Sequence, residues 1–129
     1  TKKMKKVYIE TSIGEIIDKL TILEIKRKKI SKKDHLIQIN KEYKSLKSTL
    51  QKKVKINVKV KKLWKDLFKT NLAIWEMENF KREAQKHLEK IAKVATGVYK
   101  NNDDRARIKL KINRLTGSSI REVKRYSKY

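Results

Sequence analysis

Apolar side chains return along most of this chain at steps of three and four, the spacing of one face of an α-helix. The first such row is Ile13, Ile16/Ile17, Leu20, Leu23 and Ile30, and it predicts a helix from about residue 13 to residue 30. Ile22 and Ile25 lie off that row, so this helix is apolar on more than one side and should sit centrally in a bundle. Ser12-Ile13-Gly14-Glu15 precedes it as a capping box: the Ser12 hydroxyl accepts from the Glu15 N–H, and the Glu15 carboxylate reaches back to the Ser12 N–H. A second row, Leu36, Ile39, Tyr43, Leu46 and Leu50, alternates steps of three and four. That is a narrow seam, flanked by lysines and introduced by a turn-plus-cap at Ser31–Asp34. It predicts a second helix packed as an antiparallel hairpin on the first.

Val54, Ile56, Val58 and Val60 alternate with polar residues, which in isolation is the pattern of a strand. Leu63, Trp64, Leu67, Ile74 and Trp75 then continue at helical spacing, so residues 54–57 are read as a loop leading into a third helix over about 58–86. A fourth helix is expected over about 88–116, on Leu88, Ile91, Ala95, Val98/Tyr99, Ala106, Ile108, Ile112 and Leu115. Gly117 is the left-handed stop and Arg114 faces the negative end of the dipole. Gly97 falls inside this helix, at a close approach or at a break. Val7-Tyr8-Ile9 should run extended, and residues 118–129 form an irregular tail. The fold class is therefore all-α: one domain, an antiparallel bundle of three to four long helices.

Polar residues interrupt the apolar rows at a few places, and these are the candidates for chemistry. Helix 1 carries Glu15, Asp18, Lys19, Thr21 and Glu24 among its isoleucines. Asn71 and Glu78 break the row of helix 3. On helix 4, Asn102, Arg105, Lys109 and Asn113 share a face, with Asp103 beside them. Polar groups on three helices can converge on a pocket inside a bundle. They can equally form a network that fixes helix register, as one buried Asn does in coiled coils.

Composition narrows the choice. The 129 residues include neither Cys nor Pro, which excludes a disulfide scaffold, a Cys-ligated zinc module and a redox dithiol. His35 and His87 are the only histidines and have no second ligand at metal-binding spacing, and Asp103-Asp104 lacks the pattern of a calcium loop. No metal and no cofactor are expected. There is no glycine-rich phosphate loop and no nucleophile elbow, and no catalytic residue is assigned. Trp64, Trp75, Phe68 and Tyr43 stand at helical spacing and are read as core. No stretch approaches the roughly 18 apolar residues of a membrane span, nor does an apolar run follow the basic start as in a signal peptide, so a cytoplasmic protein is expected.

Charge is the strongest compositional departure. Lys+Arg number 37 against 14 Asp+Glu, a net charge of +23. Residues 35–70 hold 11 basic and 2 acidic side chains, and Lys52, Lys53, Lys55 and Lys59 form a candidate polyanion site. Lys supplies 30 of the 37 cations, and Ile (15) and Asn (7) are also well represented. A low-GC genome raises all three together, which accounts for the excess without a ligand.

Thr11 to Lys26, reading TSIGEIIDKLTILEIK, resembles a small bacterial family of unknown function that opens with S-x-G-E-x-x-D-K-x-T-I-L-E-I-K. Asn71–Glu78 is similar to that family's N-x-x-L-W-x-I-E. Val98–Lys109, with Ile112-Asn113, is similar to V-Y-x-x-N-D-x-R-A-x-I-K-x-x-I-N. The resemblance departs over residues 41–62, where that family is less basic. It implies an all-helical protein and a common site at Glu15, Asp18, Lys19, Glu78, Asn102, Asp103, Arg105 and Lys109, and it implies no activity. The sequence is thus read as a non-enzymatic helical interaction or scaffold protein that pairs with itself or with another protein and not with a membrane. Nucleic-acid binding through the Lys-rich face and an anion binder or enzyme with its site inside the bundle are the alternatives.

Overall fold

Ser12 ends the lead, and its hydroxyl accepts the Glu15 N–H at 3.1 Å to start α1 (Ile13–Lys29). The computed structural model describes residues 5–84 and 88–119. Three further helices follow: α2 (Lys33–Lys53), α3 (Val58–Glu83) and α4 (Leu88–Thr116). All regular structure among the described residues is helical, and residues 54–57 are a loop, as the periodicity after Leu63 required. Asn57 closes that loop by accepting the Val60 N–H on its Oδ1 at 2.9 Å, a cap the row pattern does not reveal. α3 ends at Glu83 with Ala84 as its C-cap, short of the expected residue 86, and His87 and the tail beyond Ser119 lie outside the described residues.

α1 packs against each of the other three helices, the central place its broad apolar surface demanded. The core forms where Ile17 and Leu20 meet Leu50, Val60, Leu67 and Ile112. Ile39 and Leu50 bury the α2 seam, and Tyr43 on that seam reaches Glu24 of α1. Glu24 also accepts the Trp64 indole N–H at 2.9 Å, so one carboxylate joins α1, α2 and α3. The Arg27 guanidinium lies over the Tyr43 ring, 4.1 Å from its centroid, and the Lys28 ammonium over the Phe68 ring at 4.9 Å, two cation–π contacts. The aromatic residues on α2 and α3 are core and margin, as their spacing indicated.

Several local expectations are corrected. α2 begins after Lys32, which makes no side-chain cap; neither Ser31 nor Asp34 caps it. The α4 row is not buried along its length, since Tyr99 and Leu115 are exposed. Val7, Tyr8 and Ile9 carry no regular secondary structure and are more than three-quarters exposed. Gly97 does not break α4. A Cβ there would meet only the Met77 side chain, with Sδ at 3.1 Å and Cε at 3.2 Å. Methionine is unbranched and can move aside. Gly97→Ala is therefore expected to leave stability unchanged or raise it by up to about 1 kcal/mol through helix propensity. A urea midpoint well below that of the parent would show that α3 and α4 cannot relax at this contact.

α4 ends where Gly117 turns left-handed at φ +68°, and the Ser118 N–H returns to the Asn113 carbonyl at 2.9 Å. That turn brings the end of α4 to the start of α1 and fixes the two helices antiparallel.

Candidate functional site

Four contacts run down the α1–α4 interface in antiparallel order. The Ile13 N–H donates to Ser118 Oγ at 3.2 Å and the Gly14 N–H to Asn113 Oδ1 at 2.6 Å. Lys109 Nζ donates to Glu15 Oε1 at 2.5 Å. Arg105 Nε donates to Asp18 Oδ1 at 2.8 Å, and Arg105 Nη2 to Asp18 Oδ2. Arg105, Lys109 and Asn113 are four apart, so one face of α4 presents all three. The contacts at residues 13–15 also satisfy the donors of the first turn of α1, leaving no helix-terminal N–H there to bind an anion.

α3 adds a third side to the deepest contact. Asn71 Nδ2 donates to Asp18 Oδ1 at 2.9 Å and to Thr21 Oγ1 at 2.8 Å, and the Thr21 hydroxyl donates to the Asp18 carbonyl at 2.7 Å. Asp18 is 1% exposed and its guanidinium partner 27%. The carboxylate is held by a bidentate fork and an amide, the arrangement that makes a buried charge tolerable. Both amide protons of Asn71 are spent within the network.

The expected convergence of α1, α3 and α4 thus occurs, with Asp18, Arg105, Asn71, Glu15 and Lys109 at its centre. Other members of the expected cluster are placed differently. Lys19 is exposed: it lies about 100° round α1 from the buried Asp18, on the solvent side of Glu15. Asn102 is half-buried and takes no hydrogen bond among the described residues; its neighbour Asn101 bonds the Gly97 carbonyl at 2.9 Å instead. Asp103 is half-buried on α4 outside the Asp18 fork. Glu78 lies apart from that fork, on the rim of a cavity. Glu15 does not close the capping box, since its carboxylate goes to Lys109. Asp104 pairs with Arg107 one turn on.

Beside the network is a pocket of about 270 Å³, and three of the polar residues expected to converge, Asn71, Glu78 and Arg105, line it. Ile22 and Ile25 of α1 and Ile74 and Trp75 of α3 make its apolar wall, and Asn71 and Arg105 connect it to Asp18. Glu78, Asn79 and Arg82 complete the lining. The Trp75 indole Nε1 is buried without a hydrogen-bond acceptor among the described residues. A buried donor left unpaired costs about 1–3 kcal/mol, so it is a feature to be explained. No group of three His, Cys, Asp or Glu capable of holding a metal occurs among the described residues.

The basic surface lies elsewhere. Lys52, Lys53, Lys55 and Lys59 are all exposed around the α2–α3 turn, and no carboxylate pairs with them among the described residues. The first turn of α3 contains no acidic residue, while Lys52 and Lys53 occupy the last turn of α2, at the negative end of its dipole. Comparisons with family profiles, curated proteins and solved structures find no match to this chain. No helix among the described residues is long and apolar enough to cross a membrane.

Proposed function

We propose that the protein is a non-enzymatic helical interaction protein whose basic pole, at the α2–α3 turn, binds nucleic acid. The observation that carries this reading is the placement of Lys52, Lys53, Lys55 and Lys59, exposed together with no neutralising carboxylate. Genome composition accounts for the number of lysines. It does not account for their clustering around the α2–α3 turn, with Lys52 and Lys53 in the last turn of α2 and Lys59 in the first turn of α3. The bundle interior supports a non-enzymatic reading: Asp18 and Arg105 are committed to one another, as are Glu15 and Lys109. Kinship with the helical family is part of the same proposal. Its blocks contain Glu15, Asp18, Asn71, Arg105, Lys109 and Asn113, the residues that join α1, α3 and α4.

Nucleic acid is favoured over a second copy on two grounds. The α2 seam that suggested self-association is spent on α1, with Ile39 and Leu50 buried. A net charge of +23 also opposes the approach of two basic poles. Fluorescence anisotropy with a labelled duplex and a labelled single strand tests the reading. Affinity should fall steeply with salt, by about 0.9 in log–log slope for each phosphate neutralised. Replacing Lys52, Lys53, Lys55 and Lys59 together by Glu should abolish binding while the helical circular dichroism is retained. Absence of binding at low salt, or a variant that binds like the parent, would remove the proposal.

A further inference from the structure

We infer that the pocket between α1 and α3 binds a small zwitterion with an apolar body, of the class of a branched or aromatic α-amino acid. Three observations converge on that chemistry, and the Trp75 ring, which lines the pocket, reports on it, whereas the other indole, that of Trp64, is tied to Glu24 outside it. Asn71 also lines the pocket, and both its amide protons are taken by Asp18 and Thr21, so what it offers a ligand is the acceptor Oδ1. Glu78 and Arg82, one turn apart on α3, both line the pocket, and neither forms an ion pair among the described residues. Ile22, Ile25 and Ile74 supply an apolar wall.

A ligand that answers all three has a negative group for Arg82 and a cationic donor for Glu78 and Asn71 Oδ1. Its hydrocarbon body rests on the isoleucines. A simple inorganic anion leaves Glu78 unanswered and the apolar wall wet. A plain hydrocarbon desolvates the two charges that line the pocket. The volume of about 270 Å³ falls just under the range for drug-sized ligands, roughly 300–1,000 Å³, and suits something of amino-acid size. Arg105 takes no direct part, because its fork is engaged by Asp18.

Two tryptophans give the test a clean readout. In a nitrogen-15-labelled sample the two indole N–H signals are assigned with Trp64→Phe and Trp75→Phe. The full chain is then titrated with L-leucine and L-phenylalanine, and with 3-phenylpropanoate and phenethylamine, which each lack one charge. The Trp75 signal should move saturably with an amino acid while the Trp64 signal stays, and the single-charge analogues should bind at least about tenfold more weakly. Glu78→Gln should weaken L-phenylalanine by about tenfold and leave 3-phenylpropanoate unchanged; Arg82→Gln should weaken both. No movement of Trp75 at millimolar amino acid would overturn the inference, as would equal affinity for all four probes. Retention of the other backbone signals shows that each variant is folded.

Discussion

Arg105→Met is expected to destabilise the fold by about 3–5 kcal/mol, the cost of leaving one partner of a buried ion pair alone. The reason lies in which partner is left. Asp18 is 1% exposed, so without the guanidinium its carboxylate keeps only the Asn71 amide for support and has no route to water. Asp18→Ala leaves the opposite orphan. Arg105 is 27% exposed and can swing its head toward solvent, so that variant should cost distinctly less. Asp18→Leu combined with Arg105→Met removes both charges and should recover much of the loss, since an apolar pair of similar volume is often as stable as an ion pair. A domain this size has about 5–15 kcal/mol in all, so Arg105→Met should be partly unfolded well below the parent's urea midpoint. Equilibrium urea unfolding of the four proteins decides it. If Asp18→Ala were the worse single variant, or the double variant no better than Arg105→Met, the fork would not be the main tie between α1 and α4.

The helices were legible because their signals are local. A capping serine, a three-four rhythm and a glycine stop need only a few neighbouring residues, and α4 spans Leu88–Thr116 as its row and Gly117 indicated. The stretch at 54–60 tested this, because a two-residue alternation competes there with a helical row. The helix begins at Val58, where the Asn57 side chain supplies the cap and Leu63, Trp64 and Leu67 the apolar contact. The convergence of Asp18, Asn71 and Arg105 was legible for a related reason: each interrupts an apolar row, and a polar group on a buried face needs a partner. Burial alone could not say which groups pair. Lys19 looked as eligible as Lys109, and only the rotation of α1 against α4 separates them. Glu15 had two prospective partners, the Ser12 N–H and a lysine, and the buried Lys109 ammonium took it. The pocket was legible only in its polar members, Asn71, Glu78 and Arg105, because the rest of its lining combines residues read as core with surface charges. Trp75 at helical spacing looks like any core aromatic, and nothing local reveals that its N–H finds no acceptor.

Gly14→Ala is expected to cost at least about 1–3 kcal/mol, although alanine is the better helix former. A Cβ at position 14 would lie 2.8 Å from Asn113 Oδ1 and 2.8 Å from the Lys109 carbonyl oxygen, and 3.3 Å from Asn113 Cγ. The Lys109 carbonyl is α4 backbone and cannot rotate away, so α4 itself must retreat. That retreat pulls on the Gly14–Asn113 and Glu15–Lys109 contacts together, because both sit on the same pair of turns. Gly97, the glycine within α4, provides the control. At Gly97 the obstacle is a flexible Met77 side chain, so the same substitution should be silent or favourable there. Propensity favours alanine at both sites, by roughly 1 kcal/mol at Gly97 inside α4 and by less at Gly14 in the first turn of α1, and the sign of the effect is set by what the methyl group meets. The coupling is also measurable: Asn113→Ala alone should destabilise, because it leaves the Gly14 N–H buried without an acceptor. In a Gly14→Ala background it should do less harm, since it also removes one of the two colliding oxygens. A double-mutant cycle over Gly14 and Asn113 reads this directly. Strict additivity would mean that the α1–α4 register is held by the apolar core alone, with the close approach at Gly14 incidental to it.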